Sequence, residues 1–198
     1  ILRAYGHRCP YKRLWTHRGQ VWLASLVFDE ARTLMLTTLQ DELTFFDQKI
    51  AAIEARLDAI AAAYPSVALL RTIPGIGPRT GEAVVAFADG IERFRDRRRF
   101  ASYFGMTPTE DSSGLVERRG HISKRGPSVV RWVLVEAAHQ AIKRCPAFRA
   151  FYDRLHRGKK DRAKKAIVAV GRKVLTIAYA MMRDQKPFCA EKVLGRAA

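Results

Sequence analysis

Residues 109 to 127, "TEDSSGLVERRGHISKRGP", gather groups that can act on a phosphodiester. Ser112 and Ser113 precede Gly114, and Arg118, Arg119, His121, Lys124 and Arg125 follow. A serine hydroxyl in this setting can attack phosphorus, because flanking cations stabilise the charge that builds on the phosphoryl oxygens and Gly114 leaves room for the backbone. Serine alone is a weak nucleophile and needs a base, a metal or strong electrostatic activation. His121 is the nearby imidazole and can serve as that base; the alternative is a solvent-exposed histidine in a basic loop. Taken in isolation, the paired serines equally describe a polar turn. His139, on an apolar helical stretch, reads as a core or partner-contact residue.

A second constellation lies upstream. "LLRTIPGIGPRTGEAVVAF", residues 69 to 87, reads helix, glycine turn, helix. Gly75 and Gly77 permit backbone angles closed to other residues and keep side chains away, so that amide N–H groups before the second helix can approach a phosphate. Arg79 and Thr80 add a charge and a hydroxyl donor. Contacts of this kind grip backbone without reading bases. The competing reading is a tight turn joining two core helices.

Composition selects the partner. The 198 residues carry 36 Lys and Arg against 19 Asp and Glu, a formal net charge of +17, and 48% apolar residues. That apolar content supports a folded core, and that charge repels itself unless a polyanion is near. Nucleic acid is the leading partner. No apolar run approaches the roughly 20 residues of a membrane span and no secretory signal opens the chain, so a cytoplasmic location is expected. Cys9, Cys145 and Cys189 lack the close spacing of zinc or disulfide motifs and read as reduced thiols. The first residue is Ile1 rather than methionine, which suggests that further sequence once preceded it.

The elements that must position these groups are mainly α-helical. From about Arg18 to Ala63 there is no proline, and no glycine after Gly19. Within that stretch Leu39, Leu43, Phe46, Ile50, Ile53, Leu57 and Ile60 recur at alternating steps of four and three, a heptad seam that needs a second helix, from this chain or another copy. Pro65 stops the helix, dividing a coiled-coil connector (1–65) from a compact helical domain (66–198). Helices are expected near Val67 to Thr72, through about Ala88, over "FRDRRRFASYFG", from Pro127, from Pro146, and from about Asp161 to Arg183. The serine segment falls between them as a loop or short hairpin. Val130, Val133, Leu134, Ala137, Ala138 and Ile142 form one apolar face, and Ile167, Val170, Val174, Ile177, Ala178 and Met181 another.

In order and spacing, the glycine hairpin, "FASYFGMTP", the serine-glycine loop, "GHISKRG" and the alanine-rich helix after Pro127 resemble the C-terminal transposase domain of the insertion sequence 110 family. The resemblance covers residues 66 to 186, with the hairpin as a helix-hairpin-helix element and the preceding helix similar to that family's coiled-coil connector. It implies a DNA recombinase that cuts and rejoins strands through a covalent phosphoserine link, guided by a structured bridge RNA. Ser113, immediately before Gly114, matches the family's serine, with Ser112 as the alternative. The family also carries an N-terminal nuclease-like domain whose four acidic residues bind magnesium beside the serine. Asp29, Glu30, Asp41, Glu42, Asp47, Glu54 and Asp58 resemble none of those motifs and read as solvated helix surface. No cofactor is therefore expected in this chain, and magnesium only together with the acidic domain. This chain alone is expected to be inactive.

Within this reading Arg95, Arg97, Arg98, Arg99, Arg118, Arg119, Lys124, Arg125, Lys159, Lys160, Lys164 and Lys165 are candidates for phosphate contacts on DNA or RNA. A rival reading keeps the hairpin and the arginines as a non-catalytic nucleic-acid-binding module. A helical oligomerisation protein for acidic polypeptides fits the seam and the charge but leaves the glycine hairpin unexplained.

Overall fold

The protein is described by a computed structural model over residues 2–110 and 119–194, with Glu110 and Arg119 described by their backbone only. The chain divides into two compact units, Ile1–Ala55 and Arg56–Ala198. It is mainly helical, as the sequence predicts.

The first unit contains a 3-10 turn (Leu2–Tyr5), helix α1 (His17–Ala24) and the larger part of helix α2 (Glu30–Ala61). Thr16 caps α1, its side chain accepting the Gly19 N–H at 3.3 Å. The single helix expected from Arg18 onward is interrupted between α1 and α2. Its breaks are made by polar caps rather than by glycine or proline: the Ser25 hydroxyl donates to the Trp22 carbonyl at 2.7 Å, and the Asp29 carboxylate accepts the Arg32 N–H at 2.9 Å. Helix α2 buries none of its residues. Its heptad positions remain in solvent, from 37% exposed at Leu57 to 59% at Ile53.

The second unit holds α3 (Pro65–Leu70), α4 (Pro78–Ala88), α5 (Arg97–Tyr103), β1 (Pro108–Glu110), β2 (Arg119–Ile122), α6 (Ser128–Arg144), α7 (Pro146–His156), α8 (Ala163–Asp184) and α9 (Glu191–Leu194). Proline opens α3, α4 and α7 because the first helical residue needs no N–H partner. Helix α8 is the central element, packed by α5, α6 and α7. Its buried stripe of Val170, Val174, Ile177, Ala178 and Met181 meets α6, whose Val130, Leu134, Ala137 and Ala138 are at most 2% exposed. Gly171 sits at that crossing with its Cα near the Leu134 backbone, which lets the two helices approach closely.

An aromatic cluster fixes α5 onto α8. Phe100 packs edge-on against Phe94 and Phe104 with ring centroids 4.9 and 5.0 Å apart, and the buried Tyr179 hydroxyl of α8 donates to the Phe94 carbonyl at 3.0 Å. Tyr179→Phe removes that donor and leaves a buried carbonyl unpartnered. The expected loss is about 1–3 kcal/mol of folding stability with the structure retained, read from the midpoint of a urea titration.

Candidate functional site

The serine segment is connected at both ends to an antiparallel pair of strands. β1 and β2 pair Pro108 with Ile122 and Glu110 with Arg119, with an irregularity between the two pairs. Thr109 ties the strands together, its Oγ1 donating to the His121 carbonyl at 3.1 Å. The expected hairpin is therefore present at its root. Ser112, Ser113 and Arg118 lie outside the described residues.

The turn between β2 and α6 is anchored to the end of α5. The Ser123 N–H donates to the Thr107 carbonyl at 2.8 Å and the Lys124 N–H to the Gly105 carbonyl at 3.2 Å. Gly126 takes φ +78°, and a Cβ there would collide with the Tyr103 carbonyl oxygen, so the turn and the helix end touch backbone to backbone. Arg131 on α6 closes the arrangement. Its Nη1 lies 2.8 Å from the Gly126 carbonyl, 2.9 Å from that of Arg125 and 3.5 Å from that of Phe104. One guanidinium thus collects carbonyls that would otherwise lack donors and fixes the outgoing limb of the loop. The only mark of Arg131 in the sequence is an arginine set between Val130 and Trp132 in the first turn of α6.

Lys124 and Arg125 sit in this turn with exposed side chains, Lys124 in the left-handed region at φ +55°. His121 is an exposed β2 residue, and His139 is half-buried on α6. Arg98 and Arg99 lie at the start of α5, also exposed. Their backbone N–H groups are capped by the Asp96 carboxylate at 2.7 and 2.9 Å. The hydrogen bond from the Arg99 N–H, with that from Arg98 and the charges of Arg99 and Arg95, holds the Asp96 carboxyl below its ordinary range. The cap is consequently charged at neutral pH, and the stability it gives is lost as pH falls through that lowered value.

The glycine hairpin is occupied mostly within the protein. Gly75, at φ +100°, is seated on α6: a Cβ there would lie 2.5 Å from both the Ala137 carbonyl oxygen and the Ala141 nitrogen. Arg79, expected as a phosphate ligand, is paired with Asp58 near the end of α2 and with Glu82 at 2.9 Å. Thr80 is buried, 8% exposed. Gly75 thereby seats the turn between α3 and α4 against α6. Gly77, the N-cap of α4, differs, since nothing lies within 4 Å of the position a Cβ would take.

Among the described residues no His, Cys, Asp and Glu side chains group to hold a metal ion. Asp58 is committed to Arg79, and the other acidic residues of α2 are spread along an exposed helix. These carboxylates do not fit a magnesium site. No helix among the described residues is long and apolar enough to cross a membrane. Cys9, Cys145 and Cys189 are free thiols.

Comparison with known proteins finds similarity across these parts. The profile of the Transposase IS116/IS110/IS902 family matches residues 67–153, from α3 through most of α7. A probable family 20 transposase of Pseudomonas aeruginosa is 34% identical over 111 residues, 56% of this chain and 33% of its own length. A pilin gene-inverting protein of Moraxella bovis is 37% identical over 123 residues, 61% of this chain and 38% of its own. The insertion element IS110 43.6 kDa protein of Streptomyces coelicolor is 27% identical over 151 residues, 76% of this chain and 37% of its own. The chain therefore spans between a third and two fifths of the length of these relatives. Over residues 67–153, less than half of its length, this chain is similar to the Transposase IS116/IS110/IS902 family, and the matched segment carries the glycine hairpin, the strand pair and the helix after Pro127.

Proposed function

We propose that the chain is the serine-bearing part of an insertion-sequence transposase that cuts and rejoins DNA, with Ser113 as nucleophile and Ser112 as the alternative. The observation that carries this reading is that the family match brackets the serine segment on both sides, across the anchored strand pair. In the proposed step the serine Oγ forms a bond to phosphorus while one P–O bond to deoxyribose breaks. The serine proton leaves to solvent or a base, and the departing alkoxide takes up a proton. The phosphoserine ester keeps the energy of the broken diester, so the reverse attack by a DNA hydroxyl rejoins a strand without a nucleotide cofactor.

Arg98, Arg99, Lys124, Arg125, Arg119 at the start of β2 and, from the segment before it, Arg118 are the proposed phosphate contacts on DNA, and on a structured guide RNA. The role of Gly77 is the approach of a strand to the start of α4. Magnesium, where the reaction uses it, is proposed to be held by carboxylates outside these 198 residues. The exposed seam of α2 is proposed to pair with the same helix of a second copy. On this reading the chain by itself neither cleaves nor joins DNA.

The test is covalent. The chain is mixed with element-end DNA, guide RNA and magnesium, with and without a full-length family member whose own serine has been changed to alanine. A protein–DNA adduct resistant to denaturing electrophoresis is expected only in the mixture, is lost with Ser113→Ala, and persists with Ser112→Ala. Binding without any adduct would instead favour a non-catalytic nucleic-acid module, and strand transfer by this chain alone would refute the division of roles.

A further inference from the structure

α7 and α8 bring together cations that nothing in the described protein neutralises. Lys173 of α8 is half-buried, its Nζ 5.8 Å from the centre of the Phe151 ring of α7. Arg154, one turn further along α7, places its guanidinium carbon 5.2 Å from the centre of the same ring. Arg97 is the first residue of a third helix, α5, which packs on α8. Burial, followed by the charges of Arg97 and Arg154, holds the Lys173 ammonium below its ordinary range.

Among the described residues no carboxylate lies within ion-pair distance of any of the three. Asp96, the acidic neighbour of Arg97, is turned to its capping bonds with Arg98 and Arg99. The Lys173, Arg154 and Arg97 side chains donate no hydrogen bond to an acceptor among the described residues. Cation–π contact with Phe151 holds two of the heads over one ring while using none of their N–H donors. Like charges gathered on three helices, one of them partly stripped of water, oppose folding. A phosphodiester is the ligand that reverses this, offering one negative charge and several acceptors to point donors and forked donors together.

We propose that Arg97, Arg154 and Lys173 form a binding site for a phosphate of a nucleic-acid strand. Lys173 lies beyond the family match, which ends at residue 153. The site rests on the proposed action on nucleic acid and adds to it a grip independent of base sequence.

The experiment measures binding of the 198-residue chain to a labelled DNA duplex and, separately, to an RNA hairpin, by fluorescence anisotropy across a salt series. Lys173→Met and Arg154→Met keep an unbranched stem beside Phe151 and remove the charge. Lys49→Met is the control, because Lys49 also lies over a phenylalanine, Phe45 at 5.2 Å, and its loss changes net charge equally. Each site variant is expected to flatten the plot of log affinity against log salt by about 0.9 on duplex, which amounts to roughly eightfold weaker binding at 0.1 M salt. Lys49→Met should stay within about twofold of the parent, a shift its screened charge allows.

A loss on the duplex arm assigns the phosphate to DNA, and a loss on the RNA arm alone assigns it to RNA. Lys173→Met is expected to unfold at the same temperature as the parent or higher, since it removes repulsion, so weaker binding would not reflect weaker folding. Arg154 is exposed, so Arg154→Met tests the site without disturbing the core. If the parent binds both ligands and the site variants behave like Lys49→Met, the site is wrong while the nucleic-acid reading stands. If the parent binds neither, both fail.

Discussion

Gly75→Ala is expected to remove about 3–5 kcal/mol of folding stability, enough to leave much of the chain unfolded at body temperature if its total lies at the lower end for a domain of this size. Two terms add. An L-residue at the observed φ of +100° carries a backbone cost of about 1–3 kcal/mol. The new Cβ would also sit 2.5 Å from the Ala137 carbonyl oxygen and the Ala141 nitrogen, and 3.0 Å from the Ala141 Cα. Those are main-chain atoms of α6, which cannot retreat, because Leu134, Ala138 and Ala141 on the same helix are fully buried. Overpacking of this kind costs about 1–3 kcal/mol. Gly77→Ala provides the contrast: its position is open and its φ is −88°, so only a poorer N-cap is expected, about 1 kcal/mol. Urea denaturation of the pair measures the difference. Equal midpoints would mean that the hairpin is not seated on α6, and would return Gly75 to the phosphate role its neighbours in sequence suggest.

That contrast also marks what could be read from the chain and what could not. Signals local in sequence translated directly. Pro146 opens α7 as expected and Pro127 stands one residue before α6, as its N-cap, while Val130, Val133, Leu134, Ala137, Ala138 and Ile142, which follow a 3.6-residue period, are all buried. On α8, Val170, Val174, Ile177, Ala178 and Met181 are buried as their spacing predicts, while Ile167, on the same expected face, is half-buried. The break between α1 and α2 was legible too, in Ser25 and Asp29, but cap residues in the absence of glycine or proline are easily passed over.

The partners of polar groups were not legible, because they are set by which helices meet. Arg79 after a glycine turn has the sequence environment of a phosphate ligand; only the fold brings Asp58 and Glu82 to it. The Tyr179 hydroxyl finds a carbonyl 85 residues away, and Arg131 reaches back 27 residues to Phe104. The convergence of Arg97, Arg154 and Lys173 is likewise a product of packing among α5, α7 and α8, with no spacing in the sequence to announce it. A basic chain thus distributes its arginines between internal pairing and outward binding, and charge counts alone do not separate the two.

The largest effect on assembly is expected at the α2 seam. Ile50→Asp combined with Ile53→Asp should abolish self-association of the 198-residue chain, read as the mass by sedimentation equilibrium over a range of concentrations. Ile50 is 55% exposed and Ile53 59%, so in one copy neither contributes a buried contact and the folded unit should lose little stability. In a symmetric pair of helices each substitution counts twice. Burying each isoleucine is worth about 1.5–3 kcal/mol, so four lost positions amount to about 6 kcal/mol or more, roughly four decades in the dissociation constant before any repulsion between the new carboxylates. Gln48→Asp places a carboxylate on the same helix outside the alternating four-three pattern and should leave the mass unchanged. A parent chain that sediments as a monomer at all concentrations, or a double variant that associates as the parent does, would show that the seam is not where two copies meet. The physical basis is that a helix of 32 residues that buries none of its side chains gains little from packing within one copy, and a second helix covering its apolar stripe removes that stripe from water.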